Sequence, residues 1–212
     1  MKKIESIRRE YGKTELLEKN MSPDPISQFD IWLKEVLEEK LLDPTAMVLA
    51  TVDERGFPDT RVVLLKGFDH NGFVFFTDYQ SPKAIQAEKN GTVALNFHWR
   101  EFARQVRIRG QIKRISRHES EMYFSSRPRE SQISAVTSNQ SAIIASRSEL
   151  EKHVTEVAKQ YHEKNIPCPD NWGGYSVIPF EFEFFQGRDD RLNDRIRYLK
   201  LNNHWKMERL SP

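Results

Sequence analysis

The run from Tyr123 to Ser131, YFSSRPRES, carries three side chains that could meet one phosphate-sized anion. Tyr123, Arg127 and Ser131 recur in four-residue steps and share one face if helical direction holds across Pro128. Arginine offers a planar fork of N–H donors, and the tyrosine and serine hydroxyls add two more. Lys66, at the end of the apolar run TRVVLLK, could bring a point charge from a neighbouring strand. The same spacing also fits a helix end with an ordinary ion pair.

Other chemistries fail on spacing. Gly12-Lys13-Thr14 ends like a phosphate-binding loop, but the glycine required five residues earlier is Ile7. Neither the dinucleotide-binding glycine pattern nor the serine-hydrolase elbow occurs. The six histidines, at 70, 98, 118, 153, 162 and 204, lack metal-ligand spacing with carboxylates, so no metal is expected. Between His98 and Arg129, nine Lys or Arg stand against three Glu, a local charge of +6. A solvated strand face accounts for this, because stacking aromatics on the same surface, which a nucleic-acid face needs, are missing. No nucleic-acid partner is expected.

The elements that must hold these residues can be read from periodicity. The first twenty residues are charged throughout with no apolar face and read as a mobile arm. Asp24 and Pro25 then open a helix whose Phe29, Trp32, Leu33, Val36 and Leu37 recur at helical spacing until Asp43-Pro44. From Ala46 the period becomes two: AMVLATV, TRVVLLKGF and FVFFT, with Asn71-Gly72 as a hairpin turn. Ser81 should cap a short helix ending at Asn90-Gly91, and two further strands follow, TVALNFHW and RQVRIRGQIKRI. In the latter, Val106, Ile108 and Ile112 face one way and Arg107, Arg109, Gln111 and Lys113 the other. Ser116 with Glu119, and Ser148 with Glu151, read as capping boxes of two more helices. YSVIPFEFEFF, RIRYLKL and HWKMERL close the chain as strands. Seven or eight strands adjacent in sequence, with four helices, predict a mainly β (α+β) fold, an antiparallel barrel with peripheral helices.

Composition sets the setting. The 212 residues carry 33 basic and 31 acidic side chains, a net charge of +2, which argues against a general polyanion-coating protein. Hydrophobic residues at 38% and aromatics at 11% exceed what a disordered chain would carry. The length favours one domain, taken as residues 21–212 after the arm. Cys168 is the only cysteine, which excludes an intrachain disulfide and fits a reducing compartment. The longest uncharged apolar stretch, Ala46 to Val52, is far short of a membrane span. A cytoplasmic location without membrane contact is expected.

Several blocks together carry a resemblance that covers nearly the whole chain. They are RREY at 8–11, DPTAMVLATVD at 43–53, RVVLLK at 61–66, Gln105-Val106, YFSSRPRESQI at 123–133, NQS at 139–141, WGG at 172–174 and RLNDR at 191–195. The sequence resembles the pyridoxamine 5′-phosphate oxidase family of vitamin B6 metabolism. The resemblance implies an FMN-binding split β-barrel working as a homodimer with flavin at the subunit interface. It implies FMN contacts from Arg61, Val62, Val63, Leu64, Leu65 and Lys66, from Phe76 and Thr77, and from Pro82 and Lys83. Gln105, Gln140, Ser141, Phe185 and Arg195 complete that implied set.

The same resemblance implies that the substrate phosphate meets Lys66, Tyr123, Arg127 and Ser131, the cluster already found from spacing. Arg191, Leu192 and Asn193 would meet the pyridine portion, with Arg191 and Asn193 as the electrostatic candidates at the reacting carbon. Arg8, Arg9, Glu10 and Tyr11 would belong to a flap over the substrate. The reaction implied is oxidation of pyridoxamine 5′-phosphate or pyridoxine 5′-phosphate to pyridoxal 5′-phosphate, with O2 as acceptor and hydrogen peroxide as product. Three positions depart from the family pattern: Pro82 replaces a basic residue, Phe185 a tryptophan and Asn193 a histidine. An asparagine can hydrogen bond but cannot become cationic. Two alternatives stand beside this reading: a split-barrel oxidase of another aromatic substrate, of the phenazine-pathway type, and a low-turnover protein that holds FMN or pyridoxal phosphate.

Overall fold

The computed structural model describes residues 12–212. Arg8, Arg9, Glu10 and Tyr11 lie outside the described residues. Helix α1 (Pro25–Glu38) starts where expected: the Asp24 carboxylate accepts from the Ser27 N–H at 2.9 Å, with Pro25 at the first helical position. It ends at Glu38, short of Asp43-Pro44. The strands are β1 (Ala46–Val52), β2 (Pro58–Leu64), β3 (Gly67–Asp69), β4 (Gly72–Asp78), β5 (Thr92–Trp99), β6 (Arg104–Arg114), β7 (Trp172–Gln186), β8 (Asp194–Leu201) and β9 (His204–Leu210). TRVVLLKGF is therefore not one strand, since the chain breaks at Leu65-Lys66.

The hydrogen-bonded order is β2-β1-β5-β6-β7-β4-β3, with β8 on β7 and β9 on β8. The pairs β3–β4, β4–β7, β7–β8 and β8–β9 are antiparallel. Among the described residues this path does not close on itself, so the barrel is an open one. Helices α2 (Pro82–Asn90), α3 (Arg117–Ser126), α4 (Arg129–Thr137) and α5 (Arg147–Gln160) are peripheral, as expected.

Among the described residues two compact units share the strands: 12–49, 94–110 and 179–212 form the first, and 50–93 and 111–178 the second. In the first, α1 buries Phe29, Trp32 and Val36, and Phe29 meets Phe97 edge-on at 4.9 Å. Trp32 meets Phe184 at 5.1 Å, and Phe184 meets Tyr198 at 5.6 Å, both edge-on, the geometry the ring quadrupole favours. In β6 the burial alternates as period two requires, with Val106 and Ile108 inside and Arg107 and Arg109 outside. Those arginines are paired, Arg107 with Glu183 at 3.0 Å and Arg109 with Glu181 at 3.6 Å. Acidic partners on β7 thus take up two of those charges.

The second unit holds α2 to α5. Ser116 and Glu119 form the expected capping box of α3. The cap of α5 is Ser146, whose hydroxyl accepts from the Glu149 N–H at 3.2 Å, so the signature lies two residues before Ser148 and Glu151. Ser81 stands at the N-cap of α2, but its hydroxyl donates to the Asp78 carbonyl at 2.7 Å and caps nothing. Helical direction does not hold across Pro128: Arg127 is extended (φ −72°, ψ 151°), and a separate helix, α4, begins at Arg129.

Residues 12–20, within the segment expected as a mobile arm, make specific contacts with the fold. Leu16 is buried, and its N–H donates to the buried Asp194 carboxylate at 3.0 Å. Arg209 donates to Glu18 at 2.8 and 2.7 Å. That pairing, helped by the residue's own backbone N–H, lowers the Glu18 pKa from its ordinary 4.5 to about 2. A carboxylate stabilised in the fold contributes fully above its unfolded pKa and loses that contribution as pH falls through the folded one, here from about 4.5 down to about 2. A carbon-detected NMR titration should give Glu18 a midpoint near 2. A midpoint at the ordinary glutamate value would show that the Arg209 pair does not form in solution.

Candidate active site

A cavity of about 340 Å³ in the second unit gathers much of the set expected from sequence. Val62, Val63 and Leu64 of β2, Lys66 after it, Phe76 and Thr77 of β4, Lys83 of α2, Tyr123 and Arg127 of α3 and its end, and Gln140 all line it. Sequence reasoning missed Asp78, Ser134, Ala135, Ser138 and Trp172, which line it too.

Its aromatic wall is three nearly parallel rings. Phe76 stacks on Tyr123 at 3.9 Å and on Trp172 at 5.4 Å, and Tyr123 lies 6.2 Å from Trp172 with 6° between planes. The Trp-Gly-Gly triplet makes this approach possible. A Cβ on Gly174 would stand 2.8 Å from the Phe76 ring and 2.4 Å from Ile115. The triplet was visible in the sequence, but its signal was the pair of glycines after a large ring, not a ligand.

Its polar groups are cations and hydroxyls. The Arg127 guanidinium lies 4.7 Å above the Trp172 ring, and its Nη1 is buried with no hydrogen-bond partner among the described residues. Burial pulls the Arg127 pKa down, although an arginine remains charged at neutral pH. Lys83 Nζ donates to Gln140 Oε1 at 2.7 Å and to Thr77 Oγ1 at 3.3 Å. Its pKa is also pushed down, first by burial and then by the charge of Arg61. Arg61 is held at 2.6 Å by both Asp59 and the Thr51 hydroxyl. Two half-buried cations pressing on each other form a place where an anion is favourable.

Other expected residues stand elsewhere. Leu65 is buried in the core, and Pro82 is exposed at the start of α2. Ser131 sits in the first turn of α4, whereas Ser134 and Ser138 reach the cavity. Ser141 lines a neighbouring cavity of about 380 Å³ beside Ile143 and His153. A larger open cavity of about 730 Å³ contains Arg114, which Glu88 already holds at 2.5 Å, so it is the weaker anion site.

The first unit carries the rest. Phe185 and Arg195 are direct partners in the β7–β8 ladder. Arg195 donates from Nε to Glu183 at 2.9 Å and from Nη1 to the Ser211 carbonyl at 3.0 Å. Gln105 is half-buried on β6, and Arg191 and Leu192 are exposed. Asn193 Oδ1 accepts from the Arg188 N–H at 2.9 Å, so the departure from histidine supplies a fastener for its own loop.

Comparison with known proteins joins these observations. A family described as pyridoxamine 5′-phosphate oxidase matches residues 33–161, and one described as the pyridoxine 5′-phosphate oxidase C-terminal dimerisation region matches 172–212. A pyridoxine/pyridoxamine 5′-phosphate oxidase of Legionella pneumophila (strain Paris) is 52% identical over 209 residues, covering 99% of this chain and 97% of the relative. The structure of PhzG from Burkholderia lata 383, in complex with tetrahydrophenazine-1-carboxylic acid, superposes with a TM-score of 0.89 at 27% identity, over 95% of this chain and all of that one. A pyridoxamine 5′-phosphate oxidase-related, FMN binding protein from Nostoc punctiforme shares the fold, with a TM-score of 0.72 at 18% identity, over 91% of this chain and all of that one. The split-barrel expectation is borne out.

Proposed function

The chain belongs to the pyridoxamine 5′-phosphate oxidase family, and on that premise we propose that it makes pyridoxal 5′-phosphate from pyridoxamine 5′-phosphate and pyridoxine 5′-phosphate. It is an oxidase, and its cofactor is FMN. For the amine, one O2 and one water are consumed, and aldehyde, ammonia and hydrogen peroxide are formed. For the alcohol, O2 alone is consumed and no ammonia appears. The proposal includes a homodimer with FMN at the subunit interface, working in the cytoplasm.

The observation that carries this reading is the buried Arg127 Nη1, without a hydrogen-bond partner among the described residues, in a cavity that also presents Lys66 and Tyr123. A dianionic phosphate would satisfy that donor and offset the cost of a buried cation. The residues also fit FMN: Lys83, Arg61, Thr77 and Gln140 gather donors and positive charge near the start of α2, which suits a second phosphate. The flavin, when bound, accepts the two electrons.

The chain's own residues do the rest. Lys66, Tyr123 and Arg127, with Ser131 from α4, would anchor the substrate phosphate and set the distance of its reacting carbon. Arg191 and Asn193 would meet the pyridine portion, and Arg8 to Tyr11 would exclude water above it. Arg195, with Nε and Nη1 held by Glu183 and Ser211, keeps a fixed positive charge for the flavin side. No general base is assigned.

A second reading follows from the Burkholderia lata likeness: an aromatic carboxylic acid could engage Arg127. Oxygen uptake with stoichiometric peroxide decides between them. Pyridoxamine 5′-phosphate should support turnover, and tetrahydrophenazine-1-carboxylic acid should not. The reverse preference would overturn the B6 assignment.

A further inference from the structure

The turn between β7 and β8 holds two successive non-glycine residues in the left-handed region, Asp190 at φ 57° and Arg191 at φ 60°. Such backbone persists only where its surroundings over-determine it. Here Asn193 Oδ1 accepts from the Arg188 N–H at 2.9 Å, and the Leu192 N–H donates to the Asp189 carbonyl at 3.3 Å. Asp189 adds a reciprocal pair with a residue distant in sequence. The Gly12 N–H donates to Asp189 Oδ1 at 2.8 Å, and the Asp189 N–H donates to the Gly12 carbonyl at 3.2 Å. Gly12 is itself at φ +90°, a conformation that a residue with a side chain resists. Arg188 reinforces the contact through Glu15 at 3.3 Å.

We propose that Asp189 is a positioning residue that ties the chain at Gly12 to the strained turn presenting Arg191. One carboxylate oxygen thereby fastens the turn that carries Arg191, the residue assigned above to the substrate. The inference rests on that functional reading. It does not involve the phosphate anchors, and it requires an acceptor oxygen at position 189, not a charge.

The test uses the FMN-loaded enzyme, with steady-state kinetics on pyridoxamine 5′-phosphate and backbone hydrogen exchange by mass spectrometry. Asp189→Ala should raise KM by about fivefold, the size expected for one hydrogen bond, with kcat and flavin content close to wild type. Exchange across residues 12–16 should accelerate by about tenfold. Asp189→Asn keeps the acceptor and should restore both readouts, and Gly12→Ala should move both in the direction of Asp189→Ala. Faster exchange with an unchanged KM would make the pair merely structural and overturn the proposal, as would an Asn variant impaired like Ala. Absence of turnover in the wild type would instead sink the functional reading, and the exchange arm would still decide whether Asp189 holds Gly12.

Discussion

Arg127→Ala is expected to raise KM for pyridoxamine 5′-phosphate by roughly ten- to over a hundredfold, the equivalent of ~1.5 to 3 kcal/mol for a charged hydrogen-bond partner. Flavin content should stay near that of the wild type, because Lys83, Thr77 and Gln140 form a separate donor group. The size of the effect follows from where the guanidinium stands. Its Nη1 is buried and the guanidinium lies over Trp172, so little solvent is available to take its place at the phosphate once it is removed. Steady-state kinetics beside the flavin absorbance of the purified variant measure both quantities. A variant that loses flavin yet keeps its KM would show that the two anion positions are interchanged.

Asp194→Ala should lower the unfolding free energy by about 3 kcal/mol, the lower end for breaking a buried ion pair from one side. Asp194 is 7% exposed. It accepts from Arg209 Nη1 at 2.6 Å, from Arg188 Nη1 at 3.4 Å and from the Leu16 N–H at 3.0 Å. Alanine would leave a buried N–H without its acceptor and take one of two carboxylate partners from each arginine, Arg209 keeping Glu18 and Arg188 keeping Glu15. The lower end applies because both arginines keep contact with water, which recovers part of the loss. For a chain of this length the melting temperature should fall by roughly 6 to 12 °C. A shift within about 1 °C would mean that residues 12–20 are not held by Asp194 in solution.

Local signals were legible in the sequence. The Asp24-Pro25 start of α1, the capping box at Ser116, the alternation of β6 and the strands β8 and β9 each depend on neighbours within a few residues, so composition and period suffice. The anion cluster was half legible. Tyr123 and Arg127 do line one cavity, but the argument that placed Ser131 with them assumed a continuous helix that Pro128 ends. What remained hidden rests on partners far apart along the chain. Leu16 and Asp194 are 178 residues apart, beyond the reach of any local pattern, and Asp194 sat in the RLNDR motif without a visible structural duty. Trp172 carried no ligand-like signal, since its place beside Phe76 and Tyr123 depends on β4 pairing with β7.

The most direct test of the central claim is the visible absorption spectrum of the purified protein, taken without oxygen before and after adding pyridoxamine 5′-phosphate. The account predicts a flavin band that bleaches on addition, returns when air is admitted, and leaves pyridoxal 5′-phosphate in solution. A flavin band that does not change with pyridoxamine 5′-phosphate or pyridoxine 5′-phosphate would contradict it.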